Sequence, residues 1–136
     1  MTAKEFFMNT LALENSIRVK KARLEVLKEL VTALNSPLSD MPRPETPDPQ
    51  RLEGTMTIIA DLEKEIEEDT RSLAAAKSRI AESVSKIQDH MQFLILTKRY
   101  IEGKSWTRIC DDLDIGKRWA LRQHGRALAK IENDFK

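Results

Sequence analysis

Ile59, Ile66, Leu73, Ile80, Ile87 and Leu94 recur at strict seven-residue intervals. Seven residues are two helical turns, so these side chains line one edge of a long helix that must pack against another. The companion positions, Leu62, Asp69, Ala76, Ser83 and His90, are apolar only in part. The nearest partner in the chain is a helix over residues 2–34. There Leu13, Ile17, Leu24, Leu27, Val31 and Leu34 follow spacings of three, four and seven, and Phe6 stands seven before Leu13. This stripe is interrupted at Lys20 and Lys21, whose stems can lie along an apolar seam while the ammonium reaches water.

Residues 35–54 separate the two patterns and hold every proline of the chain: Pro37, Pro42, Pro44, Pro47 and Pro49. Proline removes a backbone donor and biases the residue before it away from helix. The segment reads as an extended connector, with the plain linker preferred over a Pro-rich recognition motif. The second helix is then expected over residues 55–88, folded back antiparallel on the first as a two-helix coiled-coil arm. About 33 residues at ~1.5 Å each make an arm on the order of 50 Å long. The weak seam positions leave room for a second chain, so a homodimer through the arm stays open.

The formal net charge of +1 averages unlike regions. Residues 55–89 hold five basic and eight acidic side chains, and residues 91–136 hold ten basic and six acidic. Attraction to nucleic acid would therefore come from the C-terminal part. The acidic run Glu63, Glu65, Glu67, Glu68 and Asp69 reads as a solvated helix face, not as a catalytic carboxylate pair, which needs a pocket. A single cysteine, Cys110, excludes an internal disulfide scaffold. The first residues lack the pattern of a signal peptide and no apolar run is long enough to span a bilayer, so a soluble, cytoplasmic protein is expected. Gly103–Lys104–Ser105 lacks the remaining glycine and the preceding strand of a phosphate-binding loop. His90 and His124 have no ligand cluster beside them. No enzyme, cofactor, metal or small-molecule substrate is expected.

Residues 89–136 read as a separate small domain. Asp89 with Gln92 fits a capping box, opening a helix that runs to about Glu102, with Gly103 as its stop. Ser105 caps the next helix, whose Trp106, Ile109, Cys110 and Leu113 share a face. Asp114–Gly116 makes a turn in which Gly116 is expected to supply the conformational freedom. The last helix, about 117–132, has Ala120, Ala127, Leu128 and Ile131 on one side and Lys117, Arg118, Arg122 and Arg126 on the other. No acidic residue stands from Ile115 to Lys130. This is the pattern of a helix-turn-helix whose second helix enters the major groove of double-stranded DNA. Arg118 and Arg122 are assigned to base edges with Lys117 in support, and Lys104, Arg108 and Arg126 to phosphates. Trp119 either joins the DNA contacts or packs on the preceding helix. His124 is expected at the core edge, hydrogen-bonded, and Cys110 as buried packing.

GKSWTRICDDLDIGKRWALRQHGRALAKI resembles region 4 of the sigma-70 class. More closely it resembles the C-terminal part of phage-encoded regulators of late transcription of the RinA and ArpU type. RYIEGKSW and HGRAL carry most of the likeness, over roughly forty residues. The resemblance implies sequence-specific control of phage or prophage transcription, through host RNA polymerase as a further partner. At Leu121 a groove contact is expected where the chain has an aliphatic residue. Either the helix is rotated, or Leu121 touches thymine methyl groups. Gly125 could permit close approach of a neighbouring backbone. The expected fold is all-α, with the N-terminal coiled-coil arm followed by a sigma-region-4-like helix-turn-helix domain. The alternatives are a phage terminase small subunit and a protein–protein interaction module that binds no DNA.

Overall fold

The computed structural model describes residues 1–35 and 49–136, and every regular element among them is helical. They are α1 (Ala3–Asn35), α2 (Pro49–Val84), α3 (His90–Leu96) running into a π-helical turn (Thr97–Ile101), α4 (Trp106–Leu113), α5 (Lys117–Lys130) and a 3-10 turn (Glu132–Phe135). No helix among the described residues is long and apolar enough to cross a membrane.

α1 opens with a reciprocal cap. The Glu5 N–H donates to Thr2 Oγ1 at 3.1 Å, and the Thr2 N–H donates to Glu5 Oε2 at 3.4 Å. α2 corrects the expected limits of the second helix. It begins at Pro49, not near Thr55, because proline suits the first helical position, where an N–H has no partner to lose. Pro37, Pro42, Pro44 and Pro47 lie outside the described residues. α2 also ends at Val84, four residues early, with Lys86 and Ile87 N–H groups turning back to the carbonyls of Ser83 and Val84. Ile87 still faces inward at 7% exposure.

The chain divides into two compact units, Ser16–Arg71 and a second made of Met1–Asn15 with Ser72–Lys136. In Ser16–Arg71, Ile17, Ile59 and Leu62 are buried, and Leu24, Leu27, Val31 and Ile66 are half-buried. The two seam interruptions meet each other: Lys20 Nζ lies 2.6 Å from Asp69 Oδ2 and 3.5 Å from Glu65. The Asp69 hydrogen bond holds the Lys20 ammonium above its ordinary pKa. Lys28 pairs with Glu63 at 3.5 Å. Ascending positions on α1 meet descending positions on α2, so these two segments run antiparallel.

The other unit has two apolar clusters. In the larger, Ala3, Phe7, Ile80, Val84, Ile87, Leu96, Tyr100, Ala127, Leu128, Ile131 and Phe135 pack together. The Phe7 ring lies edge-on to Tyr100 at 4.8 Å and to Phe135 at 5.3 Å. Arg79 spreads its guanidinium over Phe6 and Phe135 at 4.7 and 4.8 Å and donates to the Asp134 carbonyl. The Glu132 carboxylate accepts from the Ala3 N–H at 3.2 Å, placing an anion at the start of α1. In the smaller cluster Ile95, Ile109 and Ala120 are buried, with Met91, Trp106, Cys110, Leu113 and Ile115 around them. The expected boundary at residues 88 and 89 is therefore not where packing separates the chain. Phe7 and the last turns of α2 fill space that the short C-terminal helices leave open.

The π-helical turn gives the chain one wide turn before the stop, with the Glu102 N–H donating to the Thr97 carbonyl at 3.0 Å. Lys77 Nζ satisfies the Ile101 carbonyl and pairs with Glu14, both at 2.9 Å. Gly103 follows at φ +71°, and a Cβ there would come within 3.0 Å of Glu14 Oε2.

Candidate nucleic-acid interface

Local chemistry sets α4, the turn and α5. Ser105 has extended backbone and its Oγ accepts from the Arg108 N–H at 3.2 Å. The left-handed residue of the turn is Asp114 (φ 54°, ψ 53°), not Gly116 as expected. Aspartate is one of the few residues that tolerates this conformation. Gly116 is extended at φ −78° and serves as the N-cap of α5 without a side-chain bond. The first N–H groups of α5 thus have no side-chain cap. α5 turns Ala120, Gln123, Ala127 and Leu128 inward. Gln92 and Gln123 pair in the interior at 2.9 Å, and Lys130 Nζ donates to Gln92 Oε1 at 2.6 Å. Asp89 caps α3 through the Gln92 N–H as expected, but the Gln92 side chain reaches across to α5.

On the opposite side of α5, Lys117, Arg118, Arg122 and Arg126 are exposed. Lys117, Arg118, Leu121 and Arg122 line a shallow concavity open to solvent. None of these four cations has an ion pair among the described residues. Trp119 is 37% exposed on the flank of this face, and Leu121 is 43% exposed within it. The helix is not rotated: Ala120 is fully buried next to an exposed Leu121. Gly125 lies one turn beyond Leu121, and a Cβ there would meet nothing within 4 Å. Among the described residues no neighbouring backbone approaches it.

Lys104 and Arg108 stand differently. Asp112 binds both, at 3.1 Å from Lys104 Nζ and 3.1 Å from Arg108 Nε, with Lys98 at 3.7 Å. The Lys104 hydrogen bond, with Arg108 and Lys98 beside it, holds the Asp112 carboxyl below its usual range. Glu102 adds a second acid 3.8 Å from Lys104. The sequence reading passes over Asp112 and leaves Leu121 open between a rotated helix and a thymine contact. The Arg108–Asp112 spacing of four was a readable signal for the first. Asp112→Asn is expected to release Lys104 and Arg108. Affinity for duplex of arbitrary sequence at low salt should rise, and the plot of log affinity against log salt should steepen by about 0.9 for each new phosphate contact. A titration series in fluorescence anisotropy reads both.

His124, Tyr100 and Trp106 anchor α5 from behind. The Tyr100 hydroxyl and His124 Nε2 share a hydrogen bond, the two rings stack, and Trp106 stands edge-on to His124 at 5.0 Å. Arg99 lies 5.3 Å over Trp106 and donates to the Lys104 carbonyl. Burial, with the charges of Arg99 and Lys4, pushes His124 from 6.5 down to about 4. Burial pushes Tyr100 up to about 12. The folded protein keeps His124 neutral, while the unfolded chain takes up a proton as pH falls through 6.5. This contribution to stability is complete above that pH and is lost progressively down to about 4, by roughly 3 kcal/mol in all. Asp112 and Asp134, held below their ordinary 3.8, titrate under this window. Thermal melts from pH 7 to 4.5 should show a falling midpoint that His124→Gln flattens, and an equal slope in both proteins would contradict the assignment.

Comparison with known proteins finds no matching family model, no similar curated protein and no similar solved structure. The functional reading of this face rests on its own geometry.

Proposed function

We propose that the chain is a sequence-specific DNA-binding regulator of phage or prophage transcription. α4 and α5 act as a helix-turn-helix, with α5 in the major groove. One observation carries the reading. The solvent face of α5 holds Lys117, Arg118, Arg122 and Arg126, exposed and without ion pairs among the described residues, and no acidic residue lies between Ile115 and Lys130. Such a face has no role in packing, and a line of phosphates with guanine edges between them is its chemical complement. Arg118 and Arg122 contact bases with Lys117 in support, Arg126 contacts phosphate, and the uncapped N–H groups at the start of α5 suit a further phosphate. Lys104 and Arg108 join the phosphate contacts when Asp112 lets them go. Trp119 packs on the sugar–phosphate edge at the flank. The sigma-like resemblance of the C-terminal sequence supports regulation through host RNA polymerase. The test is anisotropy on labelled duplexes of defined sequence over a salt series. Tight binding to one sequence, with Arg126→Ala reducing the salt slope by about 1, is expected.

Within Ser16–Arg71, α1 also offers Val19, Val26 and Leu30 at 67%, 63% and 41% exposure, spaced seven and four apart on one face. This stripe supports the coiled-coil arm as a homodimer contact. Val26→Lys should shift sedimentation from a concentration-dependent dimer to monomer, and a monomeric wild type would remove this part of the proposal.

A further inference from the structure

The α5 face contains one side chain that charge does not explain. Leu121 is 43% exposed and lines the concavity together with Lys117, Arg118 and Arg122. An apolar side chain ringed by three cations excludes an apolar ligand alone and suits a polyanion that carries a small apolar group. Among duplex base pairs one such group projects into the major groove, the 5-methyl of thymine. Ala120 beside it is fully buried against Ile95 and Ile109, which fixes the helix rotation and leaves Leu121 outward. Gly125 and Ala129 follow at intervals of four along the same line, and nothing lies within 4 Å of a Cβ at Gly125. A base pair can therefore approach the Leu121 methyl groups without meeting a larger side chain on the next turn. We infer that Leu121 selects thymine by apolar contact with its 5-methyl group, at a base step that Arg118 and Arg122 flank. This rests on α5 entering the major groove and goes beyond it by naming one base and the atom read.

Replacement of thymine by deoxyuridine removes that methyl and leaves every hydrogen-bonding group in place, so it isolates the contact. The probe is a duplex selected from random sequence by the full-length protein, together with copies in which each thymine in turn is deoxyuridine. One position, or one per half-site, is expected to lose about fourfold in affinity for the wild type, the scale of one buried methyl group. Leu121→Ala should bind the thymine and deoxyuridine duplexes equally, at the affinity of wild type for the deoxyuridine duplex. Its thermal midpoint should be unchanged, since Leu121 packs on neither cluster. Equal affinity of wild type for all single replacements would overturn the inference while leaving DNA binding intact. A loss that persists in Leu121→Ala at the same position would assign the methyl to another residue and also overturn it. Failure to retain any duplex would overturn both the inference and the reading it rests on, with the concavity then left to an acidic protein partner.

Discussion

Arg122→Ala is expected to weaken binding to the selected duplex by about 1–3 kcal/mol and to relax base preference at one position. Arg118→Ala should do the same at a neighbouring position, and the double variant should bind selected and scrambled duplexes with nearly equal affinity. The scale follows from a guanidinium that donates two bonds to a guanine edge, which no water bridge replaces with the same geometry. Both residues are exposed and neither is paired among the described residues, so truncation leaves no buried partner stranded and fold stability should hold. Arg126→Ala, further along the helix, should lower affinity about equally on both duplexes. Loss of binding without loss of discrimination in the double variant would move α5 from the groove to the phosphate backbone.

Phe7→Ala is expected to destabilise the protein by about 3–5 kcal/mol, the range for removing a large buried aromatic. Phe7 is fully buried between Tyr100 and Phe135. Its loss opens a cavity beneath Tyr100, which holds His124 on the inner side of α5. The same variant should therefore weaken DNA binding near its lowered midpoint, although position 7 is remote in sequence from α5. Total stability of a domain this size is on the order of 5–15 kcal/mol, so the effect is large in proportion. Urea titration with tryptophan fluorescence measures it, since Trp106 packs on the smaller cluster. Phe6→Ala is a useful contrast. Phe6 is half-buried under Arg79, and its removal should cost less.

What was legible in the sequence was local. Asp89 and Ser105 cap their helices because a short oxygen-bearing side chain before an apolar stripe has few other uses. The seven-residue spacing from Ile59 to Ile87 marked positions that are buried or half-buried. The all-helical class followed from these patterns, and so did the inward faces of α4 and α5. What was not legible depended on distant partners. Nothing near Phe7 announces that its neighbours are Tyr100 and Phe135, and so the first residues read as part of an arm. Lys20 and Asp69 each looked like a defect in its own stripe, and their pairing becomes visible only when the stripes face each other. The pairing of Lys104 with Asp112, eight residues away, is not legible because only the Ser105 cap and the first turns of α4 bring the two together. By composition Pro49 groups with the other prolines, although proline is also a favoured first residue of a helix. Asp114 and Gly116 exchanged roles in the turn, since both residue types tolerate left-handed backbone and local sequence does not rank them.

The central claim is that α5 reads duplex sequence. Selection of bound molecules from random double-stranded DNA, with the full-length protein at about physiological salt, tests it most directly. An enriched motif that contains guanine beside thymine, and that Arg118→Ala with Arg122→Ala no longer enriches, is the predicted result. Retention of DNA without any motif would contradict sequence-specific regulation and favour a packaging role, and no retention at all would contradict DNA binding itself.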